Sequence, residues 1–177
     1  MARLPVKVRL ELRLSRVDGI GVFAATRIRA GEKVAPGIAD VDFESLVPWR
    51  DLERYEQIVK QKVRQFCIGT PDGFIPPPGF DFNKLSIDWY FNHSCDGALG
   101  FDEEGDFIAL RDIERGSEIT YDYALAESNP DFRMFCNCGS PDCRQVITGS
   151  DWKNEEFQVK HRDHMLPYLR HLIHATA

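Results

Sequence analysis

No stretch of this 177-residue chain approaches the ~18 consecutive apolar residues that a membrane helix requires. From Met1 to Leu14 the apolar residues are broken by Arg3, Lys7, Arg9, Glu11 and Arg13, so the sequence predicts neither a membrane helix nor a signal peptide. Basic residues are not in excess: 22 Lys and Arg stand against 28 Asp and Glu, a formal charge of −6. Sequence-independent nucleic-acid binding depends on many cationic contacts to phosphate, and that balance argues against it. An even cysteine count is missing too. Five cysteines, at 67, 95, 136, 138 and 143, argue against a disulfide framework and for an intracellular, reducing compartment with a metal site or free thiols. Neither an internal repeat nor a low-complexity tract occurs.

Apolar residues make up 43% and charged residues 28%, an ordinary globular balance in one domain-sized chain. Folding at this length buries roughly 70% of the unfolded surface. The charge is uneven. Residues 1–33 hold eight Lys and Arg against three acidic residues, whereas Leu99 to Asp131 holds ten acidic residues against Arg111 and Arg115. Such a stretch would attract a basic partner such as a Lys-rich protein tail.

Val6 to Leu14 alternates apolar and charged residues, as a half-buried strand does, and Asp18-Gly19-Ile20-Gly21 then turns the chain into the apolar run Val22-Phe23-Ala24. Ser45 to Phe66 reads as one amphipathic helix, with Leu52, Tyr55, Val59, Val63 and Phe66 at helical spacing and Pro48 near its start. Loops rich in Gly and Pro follow, then short strands at Phe107 to Leu110 and Glu118 to Tyr123 around the turn Glu114-Arg115-Gly116-Ser117. Helical signals return after Ser150, with Ser150 or Asp151 as N-cap, Glu155 and Glu156 in the first turn, and Pro167 restarting a last segment. The pattern predicts a mainly β, α+β fold with peripheral helices. A dinucleotide turn at Gly19-Ile20-Gly21 is rejected, because the third glycine and the following helix are missing.

The cluster Cys136-x-Cys138-x4-Cys143 offers three soft ligands across a turn made by Gly139, Ser140, Pro141 and Asp142, and a closed structural zinc site needs a fourth. Cys67, Cys95 and the C-terminal histidines are candidates, and Cys95 stands out in the polar island Asn92-His93-Ser94-Cys95. A nucleophile–base pair of Cys95 and His93, and metal pairs of His161 with His164 and His171 with His174, are weaker rivals.

Four ordered motifs carry a resemblance: Gly19-Ile20-Gly21-Val22-Phe23-Ala24, Asn92-His93-Ser94-Cys95, Gly116-Ser117-Glu118-Ile119-Thr120-Tyr121-Asp122-Tyr123 and the cysteine cluster. Together they resemble the SET-domain protein lysine methyltransferases with a post-SET zinc motif. The resemblance runs from about Ser15 to Ile147 and implies a SET-type β fold with a knot-like core over 1–131, a variable helical insert at about 43–66 and a post-SET zinc motif at 132–150; the helical tail at 151–177 lies outside the shared pattern and is expected to cover the cofactor or substrate groove. The resemblance also implies S-adenosylmethionine as cofactor, approached by the backbone of Gly19, Ile20 and Gly21 and contacted by Asn92 and His93. One structural zinc would be held by Cys95, Cys136, Cys138 and Cys143, leaving Cys67 outside. Tyr123 would be the central catalytic residue, and Tyr121 would restrict the number of methyl groups added, implying mainly monomethylation.

The expected activity is therefore methyl transfer to a lysine of a basic protein such as a histone, without direct nucleic-acid or membrane binding, in the nucleus if the source is eukaryotic and otherwise in the cytoplasm. The alternative is a catalytically inactive, zinc-stabilised module that binds a basic peptide. Departures from the family pattern are Gly97-Ala98 in place of Pro-Asn, Trp89 where Arg is frequent, and Gln145 where glycine is common.

Overall fold

A computed structural model describes residues 9–37 and 46–176. The first described element, β1 (Leu10–Leu14), pairs antiparallel with β2 (Ile20–Ala24), Leu10 opposite Ala24 and Leu14 opposite Ile20. Val6 to Val8 of the expected strand, and Phe43 to Ser45 at the start of the expected insert and helix, lie outside the described residues. The turn between the strands is the expected glycine turn. Gly19 takes φ +44°, a left-handed conformation natural to glycine, and the Ser15 hydroxyl accepts the amides of Val17 and Asp18.

Beyond this hairpin the chain adds β3 (Lys33–Ala35), β7 (Asn92–His93), β8 (Leu99–Phe101), β9 (Phe107–Ala109) and β10 (Glu118–Tyr121) to the same sheet. Its strand order is β1-β2-β10-β8-β9-β3, with β7 also on β10. A second sheet joins β4 (Val47–Pro48), β6 (Gly73–Ile75) and β5 (Ile68–Gly69), and a ribbon joins β11 (Arg133–Phe135) to β12 (Val146–Thr148). The fold is mostly short strands with a few short helices, the SET-type α+β architecture expected.

β10 organises the main sheet. It runs antiparallel to β2 and parallel to both β7 and β8, with Tyr121 opposite His93 and Leu99. The segment joining β7 to β8 crosses it, Ser94 N–H donating to Tyr121 O and Ala98 N–H to Thr120 O. At the crossing a Cβ on Gly97 would lie 2.6 Å from Tyr121 Cα, so only glycine lets the two backbones touch. Val22, Leu99, Phe101 and Ile119, all fully buried, fill the core behind this contact.

The single helix expected over Ser45 to Phe66 is not formed. Val47 and Pro48 instead pair with Phe74 and Gly73, and α1 (Trp49–Leu52) and α2 (Gln57–Phe66) are separate. Tertiary contacts override the helical stripe. Trp49 Nε1–H donates to Thr70 O at 2.8 Å and its ring packs on Phe74, while Tyr55 meets Phe80 edge-on. The strand expected over Glu118 to Tyr123 also ends early, at Tyr121. Asp122 turns the chain by accepting the Ala124 amide, and Tyr123 opens a 3₁₀ turn, so the two tyrosines do not share a strand face.

In the C-terminal segment Asp151–Lys153 forms a 3₁₀ turn, and α3 (Glu155–His161) is capped by Asn154, not by Ser150 or Asp151. Pro167 does start α4 (Pro167–Thr176). Trp152, Met165, Leu166, Leu169 and Ile173 are buried in the main core. The tail thus completes the core; it was expected to cover a groove.

Between the sheets, Glu127 is only 7% exposed and accepts the amides of Gly69, in β5, and Asn129. Burial pushes its carboxyl up from 4.5 to about 7, against the pull of those amides. At this carboxyl the folded state therefore binds more protons than the unfolded one, and its contribution to stability falls as pH rises from about 4.5 through about 7. In urea denaturation Glu127→Ala should be less stable than the protein that carries Glu127, and its loss in midpoint should be larger at pH 5 than at pH 8.

Candidate active site and metal centre

A cavity of about 1040 Å³ is lined by residues from all three sheets, including Asp18, Gly69, Asn92, His93, Tyr121, Tyr123 and Met134. Gly19, Ile20 and Gly21 are not in its wall; their turn reaches it through Val17 and Asp18. Asn92 ties that turn to the sheet, its Nδ2 donating to Asp18 O (2.9 Å), Ile20 O (3.3 Å) and Glu118 Oε1 (2.9 Å). Glu118 Oε1 also accepts the Ser15 hydroxyl at 2.7 Å, and it leaves no room for a Cβ on Gly21.

His93 is buried, and desolvation lowers its pKa to about 4, leaving the ring neutral at pH 7. Its Nδ1 accepts the Tyr123 amide at 3.1 Å, so Nε2 carries the proton and faces Cys95 Sγ at 3.4 Å. The imidazole is thus an internal brace between the Tyr123 backbone and the cysteine cluster. The nucleophile–base pair has no support in this arrangement, because Cys95 is outside the wall of the large cavity and Nε2, the nitrogen that faces it, already carries the proton.

Tyr121 and Tyr123 bring their ring centroids to 4.9 Å despite lying on different elements, and Phe107 stands edge-on to Tyr121. Desolvation drives both phenols above the ordinary value of 10, so both keep their protons at neutral pH. Tyr123 O–H donates to Phe91 O at 3.2 Å, which leaves its oxygen lone pairs to accept.

The Sγ atoms of Cys95, Cys136, Cys138 and Cys143 all lie within 4.8 Å of one another, and Cys95 and Cys136 are 3.9 Å apart. A tetrahedral zinc site with Zn–S of about 2.3 Å requires sulfurs about 3.8 Å apart, so the four could hold such an ion. Backbone amides of Arg144, Cys138 and Gln145 point at Cys95, Cys136 and Cys143 respectively, each at 3.4 Å, and such donors favour thiolates. Cys67 stands apart, in the wall of the large cavity, where burial pushes its thiol up. Among the described residues no metal-type cluster includes the tail histidines.

Two residues escaped the sequence reading. Asp122, 3% exposed between the two tyrosines, accepts both terminal nitrogens of Arg144 at 2.7 Å, and Arg144 Nε reaches Asp151 at 3.0 Å. One guanidinium beside the last cysteine thus joins the tyrosine pair to the tail. The signal was a carboxylate flanked by two aromatic residues at a buried position, which demands a cation. Gln145 takes φ +63°, which accounts for the usual glycine there.

A family model described as the SET domain matches residues 19–124. The chain is 29% identical over 161 residues to a histone-lysine N-methyltransferase of Oryza sativa subsp. japonica named TRX1, an alignment that covers 86% of this chain and 15% of that protein. It is 29% identical over 147 residues to an H3 lysine-4 specific histone-lysine N-methyltransferase of Cryptococcus neoformans, covering 78% and 10%. The set1 histone-lysine N-methyltransferase of Dictyostelium discoideum is likewise 29% identical over 147 residues, covering 78% and 9%. The chain therefore spans less than a sixth of the length of these relatives.

Elemental analysis of purified protein should find one metal ion per chain. Cys136→Ser should lose it and become less stable, whereas Cys67→Ser should retain it. Metal bound at full stoichiometry in Cys136→Ser would remove the cluster as its site.

Proposed function

This chain belongs to the SET-domain family, and from that premise we propose that it is a protein-lysine N-methyltransferase that uses S-adenosylmethionine. The observation that carries the reading is the phenol pair, Tyr121 and Tyr123, in the wall of the cavity that also contains Asn92 and Asp18. Asn92 and His93, with the Gly19-Ile20-Gly21 turn behind them, form the cofactor side. Cys95, Cys136, Cys138 and Cys143 hold one structural zinc ion.

S-adenosylmethionine, when bound, supplies a methyl group activated on a sulfonium. The protein must then present a neutral amine. Deprotonating a lysine with a pKa near 10.4 costs roughly 4 to 5 kcal/mol at pH 7, and a desolvated aromatic wall lowers that cost by disfavouring the ammonium. Because Tyr123 spends its own proton on Phe91 O, its oxygen accepts an amine N–H and turns the nitrogen lone pair toward the methyl group. Neither phenol needs to act as a base. The Tyr121 hydroxyl takes space that a methylated amine would need to rotate, which favours monomethylation.

The substrate class is a basic, lysine-containing protein, and the names of the relatives support a histone and, in a eukaryote, a nuclear setting. The acidic stretch from Leu99 to Asp131 supports a basic partner less than its count suggests. Lys33 lies within 3.4 Å of Asp102, Glu104 and Asp106, and Arg27 pairs with Asp112 and Glu114.

Transfer of labelled methyl groups from S-adenosylmethionine to purified histones and to cell extract tests the proposal. Labelled lysine is the expected product, and no transfer to either would overturn the reading. Tyr123→Phe should lower the rate by about a hundredfold. Tyr121→Phe should add dimethyl-lysine and trimethyl-lysine to the products seen by mass spectrometry, and an unchanged distribution would remove its role.

A further inference from the structure

We infer that Glu118 is a positioning residue that makes the cofactor side of the cavity selective for a cationic amino group, the α-ammonium of the methyl donor. The inference rests on the function proposed above. Its basis is the polarity of Asn92. All the acceptors around that side chain, Asp18 O, Ile20 O and Glu118 Oε1, gather on Nδ2. The amide is therefore held in one of its two flips, and Oδ1 is the atom it can offer to a ligand. Among the described residues no donor reaches Oδ1. An oxygen fixed in this way accepts from a donor and cannot serve a carboxylate.

Charge points the same way. Glu118 is half-buried and its partners are neutral, the Ser15 hydroxyl and the Asn92 amide. Asp18 is in the cavity wall, and Glu118 stands behind that wall, bonded to its Asn92. Among the described residues neither carboxylate has a Lys or Arg within salt-bridge distance, although the chain pairs many of its other acidic groups. One unpaired carboxylate in the wall and a second just behind it therefore set a negative potential at this end of the cavity. A ligand group that carries positive charge and N–H donors satisfies both the potential and the Asn92 oxygen. The α-ammonium of a methionine-derived cofactor has both properties, whereas the nucleoside end has no charge.

Glu118 also controls the approach of the turn. Its Oε1 lies 2.2 Å from where a Cβ on Gly21 would be, so the bare backbone at Gly21 is what admits the carboxylate between the turn and Asn92. Gly21 is thus explained by Glu118, without requiring direct contact between that glycine and the cofactor.

The test compares two nucleosides that differ only at this end. S-adenosylhomocysteine carries the amino acid group, and 5′-methylthioadenosine keeps the adenosine and the thioether without it. Isothermal titration should show both binding the wild-type protein. In Glu118→Gln, which keeps one oxygen to accept from Asn92 and Ser15 but removes the charge, S-adenosylhomocysteine should bind at least tenfold more weakly while 5′-methylthioadenosine changes by less than twofold. An unchanged affinity for S-adenosylhomocysteine, or an equal loss for both, would overturn the inference, because a merely structural role moves both together. If Glu118→Gln does not fold, Ser15→Ala loosens the same carboxylate oxygen and is read in the same way, selective loss supporting the inference and equal or no loss ending it. Wild-type protein that binds neither nucleoside would instead remove the reading of the cavity as a cofactor site.

Discussion

The close passage of the segment 94–98 over β10 is the constraint on which the rest of the molecule depends. With no Cβ on Gly97, the two backbones meet, and Ser94 and Ala98 each give an amide to β10. The passage brings five chemically important residues of two distant segments together: Asn92, His93 and Cys95 from one, Tyr121 and Tyr123 from the other. A side chain at residue 97 would have to displace main chain, which packed interiors do not permit cheaply. The departure from the family's Pro-Asn at this place is thus accommodated by backbone contact.

From that crossing a chain of polar contacts runs outward. His93 joins the Tyr123 amide to Cys95, and Asp122 joins the Tyr123 turn to Arg144, next to Cys143. The two links meet the cysteine cluster from opposite ends of its sequence. Asp122 is buried, so its ion pair differs in kind from the exposed pairs of Lys33 and Arg27. Those are screened by solvent and contribute little, whereas leaving a buried carboxylate without its cation costs about 3 to 5 kcal/mol. Order in the cysteine cluster and order at the tyrosine pair are therefore coupled through one guanidinium.

The glycine turn, the short strands on either side of it, the start of α4 at Pro167 and the cluster of three cysteines at 136, 138 and 143 were legible because each depends on residue type at short range, whereas Cys95, 41 residues before that cluster, was joined to it only by the family resemblance. The break at Leu52 was not. Leu52, Tyr55, Val59, Val63 and Phe66 keep helical spacing, yet Pro48 and Trp49 are claimed by β6 and Thr70, and Tyr55 is claimed by Phe80. The core role of the tail was hidden for a related reason. Met165, Leu166, Leu169 and Ile173 look like one face of a short helix, and no local signal says which surface that face will meet.

Residue chemistry alone set which groups could react or ligate: soft thiols near a turn, phenols beside an acid, an amide next to an imidazole. Their order along the chain was enough to suggest the family. Direction was decided only by the fold. Which nitrogen of His93 carries the proton, which way the Asn92 amide faces, and that Tyr121 and Tyr123 meet across a turn all depend on partners 22 to 74 residues away. Hydrogen bonds and buried charges have geometry as well as chemistry, and that geometry exists only after the β10 crossing has formed.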